Sequence, residues 1–514
     1  MTRPRILLCL ACILVPGEIS PCAAAGPPTA SAPRAPIHGI LYNEDDSNRF
    51  VLDPAGTMKP ERLDRIVDEL ANSRVSVILI CCNAKNTGYD SRAWDVHGLG
   101  FDPARDNQQP YFGDTPQSDR DSLRRWVTNL RLMLDAGIDP MQRMIDRCRQ
   151  RQISPWVSIR MNDVHDAHLL RSPLHSRFWL EHRDYWRYPD RFNAWNDRCL
   201  NYGLEPVRDH ALALIREVCQ RYDVDGLELD WNRFPLHFRE GEELEKGKVL
   251  TEWMATVRAV VRQAEKDRKH AIWLAARVPA RPEVALGTGL DALTWARHGL
   301  IDHLIVAPFW ATTDFDIPVE RWQKSLEGTG VGVTAGLEIR VEPYPGGPTL
   351  DNTPERRRGA AMAALARGSQ GIYLFNYFDV GSAMPYLLKE MHSVETLADK
   401  DRSYVVTFTD IQVPGHPIPA ALPRGLSPGE SAEFTLYTGP RPLARATGVV
   451  EWTVTPPTSA VTVQLNGHAG DRGPSSFAPD AFLTGSNTVR VTNPGSTAIR
   501  VERVELSIRF PKAK

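Results

Sequence analysis

The feature that most constrains the fold is a regular alternation of strand-like and helix-like segments between residues 37 and 395. Apolar runs with a two-residue period are separated by segments with helical periodicity. Eight strands are predicted, over residues 38–43, 75–83, 156–163, 225–231, 271–279, 303–310, 331–338 and 371–377. This count predicts a (β/α)8 TIM barrel. A doubly wound sheet is the rival fold, but no glycine-rich phosphate turn follows the first strand.

The pattern changes in residues 401–514, where short alternating runs are separated by proline and glycine. Such a pattern predicts a small all-β sandwich, similar to a jelly roll. Two roles stay open for this domain. It either packs against the barrel as a structural partner or binds carbohydrate.

The first 25 residues have the pattern of a secretory signal peptide, in which basic residues precede a short apolar run and a small-residue cleavage site. The apolar run is too short to span a bilayer. We therefore predict a signal peptide over 1–25, a Pro/Ala-rich linker over 26–36, and a secreted or periplasmic protein without a membrane anchor. A formal charge of −2 with interspersed signs gives no reason to expect a nucleic-acid partner.

The segment DVDGLELDW at residues 223–231 carries most of the functional information. Leu227 and Leu229 alternate with Glu228 and Asp230, so the leucines should face the helices and the acids the barrel lumen. Residues two apart on a strand are separated by about 6.6 Å, which places Glu228 one layer below Asp230. Asp230 is then expected at the C-terminal rim, where barrel enzymes keep their catalytic groups.

The same alternation places further charged side chains in the lumen. Arg160 is expected there on the third strand, Arg277 on the fifth and Glu338 on the seventh. Buried charges persist when they are paired, so the arginines should pair with the acids. A structural ion network is the alternative to a site, but acids that end several strands at one rim favour a site.

Several side chains that end or follow strands are candidates for contacting a substrate. The polar candidates are Asp45, Asp46, Arg160, Asn162, Asp163, His165, Arg277 and Asn376. Trp231 and Trp310 are predicted to form the pocket wall, because aromatic faces stack on the C–H faces of sugar rings. Aromatic residues are also frequent in two long loops, and Trp186 or Trp195 is the candidate there for touching a ligand. His165 has an alternative interpretation as an ordinary loop histidine.

Three motifs resemble a bacterial group of glycoside-hydrolase-like barrel proteins. They are DVDGLELDWNRFP at 223–235, RMNDVHD at 160–166 and GIYLFNYFD at 371–379, and the resemblance spans 37–395. The D-G-x-x-x-D core is also similar to barrel glycosidases with a nucleophilic aspartate after strand four, which implies that role for Asp230. The chitinase pattern is not matched, because Asn232 stands where its glutamate is expected. Glu338 occupies the position of the strand-seven nucleophile of a large retaining clan, although the Asn-Glu pair of that clan is absent.

The sequence thus predicts a glycoside hydrolase that cleaves O-glycosyl bonds of an oligo- or polysaccharide with a carboxylate pair. Asp230 is predicted as nucleophile or base, Glu338 as acid/base, and Glu228 as the group that tunes Asp230. No metal or other cofactor is predicted, because no H-x-H or H-E-x-x-H motif occurs. A non-catalytic carbohydrate-binding barrel and a lyase or metal-assisted hydrolase on the same scaffold remain alternatives.

Overall fold

The computed structural model describes residues 37–309, 312–375, 377, 384–409, 411, 420–470 and 475–511. The predicted signal peptide and linker lie outside the described residues, as do Trp310 and Asn376.

Eight parallel strands close into a barrel in sequence order, with β8 hydrogen-bonded to β1. They are β1 (Gly39–Glu44), β2 (Val75–Cys81), β3 (Ser154–Arg160), β4 (Gly226–Asp230), β5 (Trp273–Pro279), β6 (His303–Ala307), β7 (Gly332–Leu337) and β8 (Gly371–Leu374). Each of these strands falls within, or within two residues of, a segment that the sequence predicts as a strand. The prediction of a (β/α)8 TIM barrel is therefore confirmed.

Helices follow each of the eight strands of the barrel. They are α1 (Asn48–Val51), α2 (Glu61–Ala71), α3 (Gln117–Asp135), α4 (Pro140–Gln150), α5 (Arg177–Glu181), α6 (Glu205–Arg221), α7 (Glu243–Arg268), α8 (Pro282–Gly287), α9 (Ala292–Arg297), α10 (Val319–Leu326), α11 (Pro354–Ala366), α12 (Met384–Glu390) and α13 (Val394–Leu397). Local sequence explains several starts; the Asp139 side chain, for example, accepts the first free N–H groups of α4. Within the described residues, no helix is long and apolar enough to cross a membrane.

The alternation along the strands separates the outer core from the lumen. Leu227 and Leu229 of β4 pack in the outer core between strands and helices. The lumen has its own apolar cluster, which includes Trp156, Ile305 and Tyr373. Gly226 is required there, because a Cβ at this position would lie 2.4 Å from the Trp156 ring. These large side chains fill the lower part of the lumen. The charged side chains of the candidate site lie above them, towards the C-terminal end of the barrel.

The described residues that follow the barrel form two antiparallel sheets, here called the C-terminal sheets. Their strands are β9 (Arg402–Val405), β10 (Arg424–Leu426), β11 (Ser431–Tyr437), β12 (Thr447–Thr455), β13 (Thr462–Leu465), β14 (His468–Ala469), β15 (Ser475–Phe477), β16 (Ser486–Thr492) and β17 (Ile499–Arg509). One sheet has the order β10-β17-β12-β15 with β9 beside β17, and the other has the order β11-β16-β13-β14. The sheet region follows the barrel as the sequence predicts, whereas the exact domain limits stay a prediction.

The C-terminal sheets pack closely against α11 of the barrel. Arg356 of α11 forms a buried ion pair with Glu505 of β17, with an N–O distance of 2.7 Å. Gly359 lies one turn further along α11, where a Cβ would stand 1.9 Å from the Ser403 carbonyl oxygen. The apolar core is continuous from the outer barrel into the sheets. The barrel and the C-terminal sheets therefore stabilise each other through this shared interface.

Candidate active site

Two carboxylates meet a single guanidinium at the C-terminal end of the barrel. Arg277 Nη1 lies 3.0 and 3.1 Å from the two carboxylate oxygens of Asp230, and Nη2 lies 3.1 Å from Glu338 Oε1. All three side chains are at most 1% exposed. Buried charges need partners, and one cation here serves two anions.

Asp230 is held by its strand and by the loop that follows. It is in register with Arg160 of β3 and Arg277 of β5, so all three lie in one layer. Its Oδ1 also accepts the backbone N–H groups of Asn232, at 3.0 Å, and Arg233, at 2.9 Å. These donors fix the side chain and stabilise its negative charge.

Glu338 directly follows β7 and is held through its backbone. Its carbonyl oxygen accepts hydrogen bonds from Tyr377 Oη at 2.9 Å, Asn352 Nδ2 at 3.1 Å and the Thr313 hydroxyl. The Thr313 carbonyl in turn accepts the Thr407 hydroxyl at 3.0 Å. Residues after β6, β7 and β8, together with the segment after β9, thus position this glutamate.

Glu228 lies one layer below Asp230 and is fully buried. Asn43 Nδ2 approaches its Oε2 at 3.4 Å. Burial raises the pKa of Glu228, and the nearby Asp230 charge raises it further, while Arg277 opposes both effects. The protonated form is therefore favoured more than for an ordinary glutamate.

A second ion cluster surrounds Arg160. Its guanidinium binds the Asp45 carboxylate and lies 3.4 Å from Asp163 Oδ2. Burial would raise the pKa of Asp45, but Arg160 and the hydrogen bonds from Ser47 hold it below its usual range. Burial would also raise the pKa of Asp163, but His165, Lys85 and Arg160 hold it well below its usual range. Both acids are thus anionic and already paired.

His165 is the most exposed polar group of this cluster, with 39% of its side chain accessible. Its Nδ1 lies 2.8 Å from Asp163 Oδ1, and its Nε2 lies 2.7 Å from Arg233 Nη2. Because arginine can only donate, Nε2 accepts and the proton is assigned to Nδ1. Burial lowers the pKa of His165, Asp163 opposes this and Arg233 adds to it. The ring is a neutral hydrogen-bonding group at the mouth of the barrel.

Trp231 does not lie in the pocket wall, contrary to its predicted place. It is fully buried in the outer core, where its ring contacts Tyr202, Trp253 and Trp295. The reason is the two-residue period of β4, since the residue after inward-facing Asp230 must face outward. Trp186 is also covered, packing at 4.4 Å against Trp179.

Two of the polar side chains predicted to contact a substrate instead contact other parts of the protein. Asn162 donates to the Leu200 and Leu236 carbonyls and accepts the Leu200 N–H, so it ties two loops together. Asp46 is buried 3.9 Å from His97, and burial raises its pKa to about 7.

Sequence reasoning missed three residues at the mouth. Arg233 lies over the Phe234 ring at 5.0 Å and bonds His165. Phe234 and Phe309 contact the exposed Trp195, at 5.3 and 5.5 Å between ring centroids. Their positions in the sequence could have indicated this place, because Arg233 and Phe234 follow β4 and Phe309 follows β6, and residues after barrel strands lie at the mouth. Among the residues that the structure describes, no group of three or more His, Cys, Asp or Glu could hold a metal ion.

A closed parallel barrel with acids from several strands at its C-terminal mouth has the layout of a (β/α)8 barrel enzyme. Residues 125–265 match the family model Glycosyl hydrolase-like 10. The matched segment contains Asp163, His165, Glu228 and Asp230, while Glu338 lies beyond it. The predicted resemblance to glycoside-hydrolase-like barrels is therefore confirmed. No curated protein matches the chain.

Solved structures similar to this chain include three carbohydrate-active proteins. A Paenibacillus sp. cycloisomaltooligosaccharide glucanotransferase is 9% identical, with 90% of this chain and 57% of that chain covered and a TM-score of 0.34. Alpha-L-fucosidase isoenzyme 2 from Paenibacillus thiaminolyticus is 14% identical, with 71% and 51% covered and a TM-score of 0.39. The PgaB (BpsB) glycoside hydrolase domain from Bordetella bronchiseptica is 9% identical, with 70% and 99% covered and a TM-score of 0.40. The chain spans little more than half the length of the first two, and none of the three similarities identifies a substrate.

Proposed function

We propose that the protein is an exported glycoside hydrolase that cleaves O-glycosyl bonds of an oligo- or polysaccharide. The pairing of Asp230 and Glu338 on Arg277 is the observation that supports this most strongly. Two carboxylates from different strands at one barrel mouth can flank a glycosidic bond, one donating a proton and the other attacking C1 or activating water. The family match of β3 and β4 supports the same reaction class.

The contacts suggest a role for each acid. Asp230 accepts two backbone N–H groups in addition to Arg277, which stabilises the anion that a nucleophile or base requires. Glu338, on the other arm of the guanidinium, is assigned as the acid/base. Glu228 tunes Asp230 from below, since its protonation state alters the charge that Arg277 must balance.

The second ion cluster is assigned to substrate binding. His165 is the group most accessible to a sugar hydroxyl, while Asp45, Arg160 and Asp163 hold it and form the floor behind it. Because Asp230 and Glu338 are almost fully buried, side chains at the mouth must move when substrate enters.

Hydrolysis assays test the proposal. The purified full chain is screened against nitrophenyl glycosides and polysaccharides, together with Asp230→Asn and Glu338→Gln. Asp230→Asn should lower turnover by about 100-fold or more, because it removes the charge that stabilises the oxocarbenium-like transition state. Glu338→Gln should spare activity best on nitrophenyl substrates, whose leaving group needs little protonation.

Asp302→Asn is the matched control, because Asp302 pairs with Arg258 before β6, at the opposite end of the barrel. It should keep full turnover. Full activity of Asp230→Asn would refute the assignment, and a parent that binds sugars without cleaving any of them would favour a carbohydrate-binding barrel.

A further inference from the structure

Three aromatic side chains from separate loops converge at the mouth of the barrel. Trp195 lies between β3 and α6, Phe234 follows β4 and Phe309 follows β6. Their ring centroids are 5.3, 5.5 and 5.8 Å apart. We call this set of Trp195, Phe234 and Phe309 the mouth platform. Contacts between loops so distant in sequence require the closed barrel, which brings the ends of its strands together.

The mouth platform presents an accessible ring, whereas the other two tryptophan rings of the same loop are covered. In the same loop, Trp179 is 1% exposed and Trp186 is 2% exposed, but Trp195 is 37% exposed. A tryptophan ring offers a large, rigid apolar surface with little conformational entropy to lose on binding. An exposed ring braced by two others is therefore suited to stacking with a ligand.

The platform is continuous with the candidate active site. The Arg233 N–H donates to Asp230, and the next residue in the chain is Phe234. The His165 ring meets the Phe234 ring edge-on, with 5.0 Å between the centroids. The half-exposed His165 thus borders the apolar surface of the platform. This arrangement suits a sugar ring, whose edge carries hydroxyl groups and whose face is apolar.

The backbone at Phe234 adds to this argument. Its φ is +59°, in the left-handed region that bulky residues adopt only at an energetic cost. Glycine would avoid this cost but would supply no ring.

Most of the exposed positive charge in the loop that carries Trp195 is compensated within the protein. Three exposed arginines of this loop are paired with acids: Arg171 with Asp114, Arg177 with Asp95 and Arg191 with Asp197. These arginines need no acidic ligand to balance their charge, so the surface is compatible with a neutral sugar.

We infer that the mouth platform binds one uncharged pyranose unit of the substrate, stacked on Trp195 and Phe309, with His165 contacting a ring hydroxyl. The identity of the ligand class rests on the proposed function. A pyranose that carries only C–H bonds on one face can lie flat on aromatic carbon. Axial hydroxyl groups on that face would hold the sugar away from the rings.

Calorimetric titration tests the inference with cellotetraose, xylotetraose, galactotetraose, maltotetraose and mannotetraose as probes. The full chain carries Asp230→Asn throughout, so that no probe is consumed. We expect at least one probe to bind this parent, and Trp195→Ala to weaken that binding about tenfold or more. Trp195→Phe should weaken it less. Phe234→Gly should also weaken it, without imposing strain on the left-handed backbone.

Trp452→Ala is the control, because Trp452 is a partly exposed tryptophan in β12 of the C-terminal sheets. It should bind as the parent does, and circular dichroism confirms that each variant is folded. Equal affinity in Trp195→Ala and the parent overturns the platform, as does a parent that binds none of the five probes. If binding depends on Trp195 but the chain with Asp230 intact hydrolyses nothing, the platform is supported and the hydrolase proposal is defeated. If the chain with Asp230 intact hydrolyses a substrate and Trp195→Ala leaves its KM unchanged, the hydrolase proposal is supported and the platform is defeated.

Discussion

Replacing Arg277 with methionine should strongly destabilise the protein at neutral pH. The substitution keeps much of the apolar volume but leaves Asp230 and Glu338 buried without their shared cation. Removing one partner of a buried ion pair costs about 3–5 kcal/mol. Because Arg277 serves two anions that are at most 1% exposed, we expect the upper end of that range, about 5 kcal/mol. Domains are stable by about 5–15 kcal/mol, so most of the margin would be lost.

A charge-free variant separates the cost of unpaired charge from the cost of lost packing. Combining Arg277→Met with Asp230→Asn and Glu338→Gln removes all three charges at once. Buried ion networks can be replaced by neutral groups with little loss, so this triple variant should recover most of the lost stability. It also keeps the test decisive if Arg277→Met alone does not fold.

Urea unfolding at neutral pH, followed by tryptophan fluorescence, measures these differences. Arg258→Met is the matched control, since Arg258 is buried and pairs with the single carboxylate of Asp302. It should destabilise less than Arg277→Met and should leave turnover unchanged. An Arg277→Met protein within about 1 kcal/mol of the parent, or a triple variant no more stable than the single one, would refute the charge argument.

Two further substitutions test the lower lumen and the sheet contact. Burial and Asp230 raise the pKa of Glu228, so its contribution to stability is present at low pH and is lost as the pH rises through the raised pKa. Glu228→Gln should match the parent at pH 5 and exceed it at pH 8 in thermal melts; a variant that is less stable at pH 8 would contradict this. Gly359→Ala should loosen the C-terminal sheets, because its Cβ would lie 1.9 Å from the Ser403 carbonyl, whereas Gly425→Ala has no atom within 4 Å and serves as control. Limited proteolysis measures how fast each variant is cleaved between the barrel and the C-terminal sheets. Equal cleavage rates for the two variants would count against the contact.

Strand periodicity explains how much of the site could be predicted from sequence. Once the barrel is assumed, a two-residue period fixes which side chains enter the lumen, and Glu228, Asp230, Arg277 and Glu338 follow from it. The same rule excludes Trp231 from the pocket, because the residue after inward-facing Asp230 faces the outer core.

Loop contacts lie beyond the reach of such periodicity. His165 and Arg233 are 68 residues apart and meet through one hydrogen bond between side chains. Phe309 reaches Trp195 only because β6 and the loop after β3 end at the same mouth. Loops carry no repeating pattern, and their side chains are placed by tertiary packing. Sequence could suggest that aromatic residues matter there without indicating which ones are exposed.

The C-terminal sheets are tied to the chemistry more closely than their sequence indicates. Thr407, just after β9, donates to the Thr313 carbonyl, and the Thr313 hydroxyl donates to the carbonyl of Glu338. Two hydrogen bonds thus connect the start of the sheet region to the proposed acid/base. A barrel ending near residue 400 would keep every carboxylate but lose β9 and this support. Since Glu338 must be held to well within 1 Å for efficient proton transfer, the sheets belong to the positioning of the site even if they never touch a sugar.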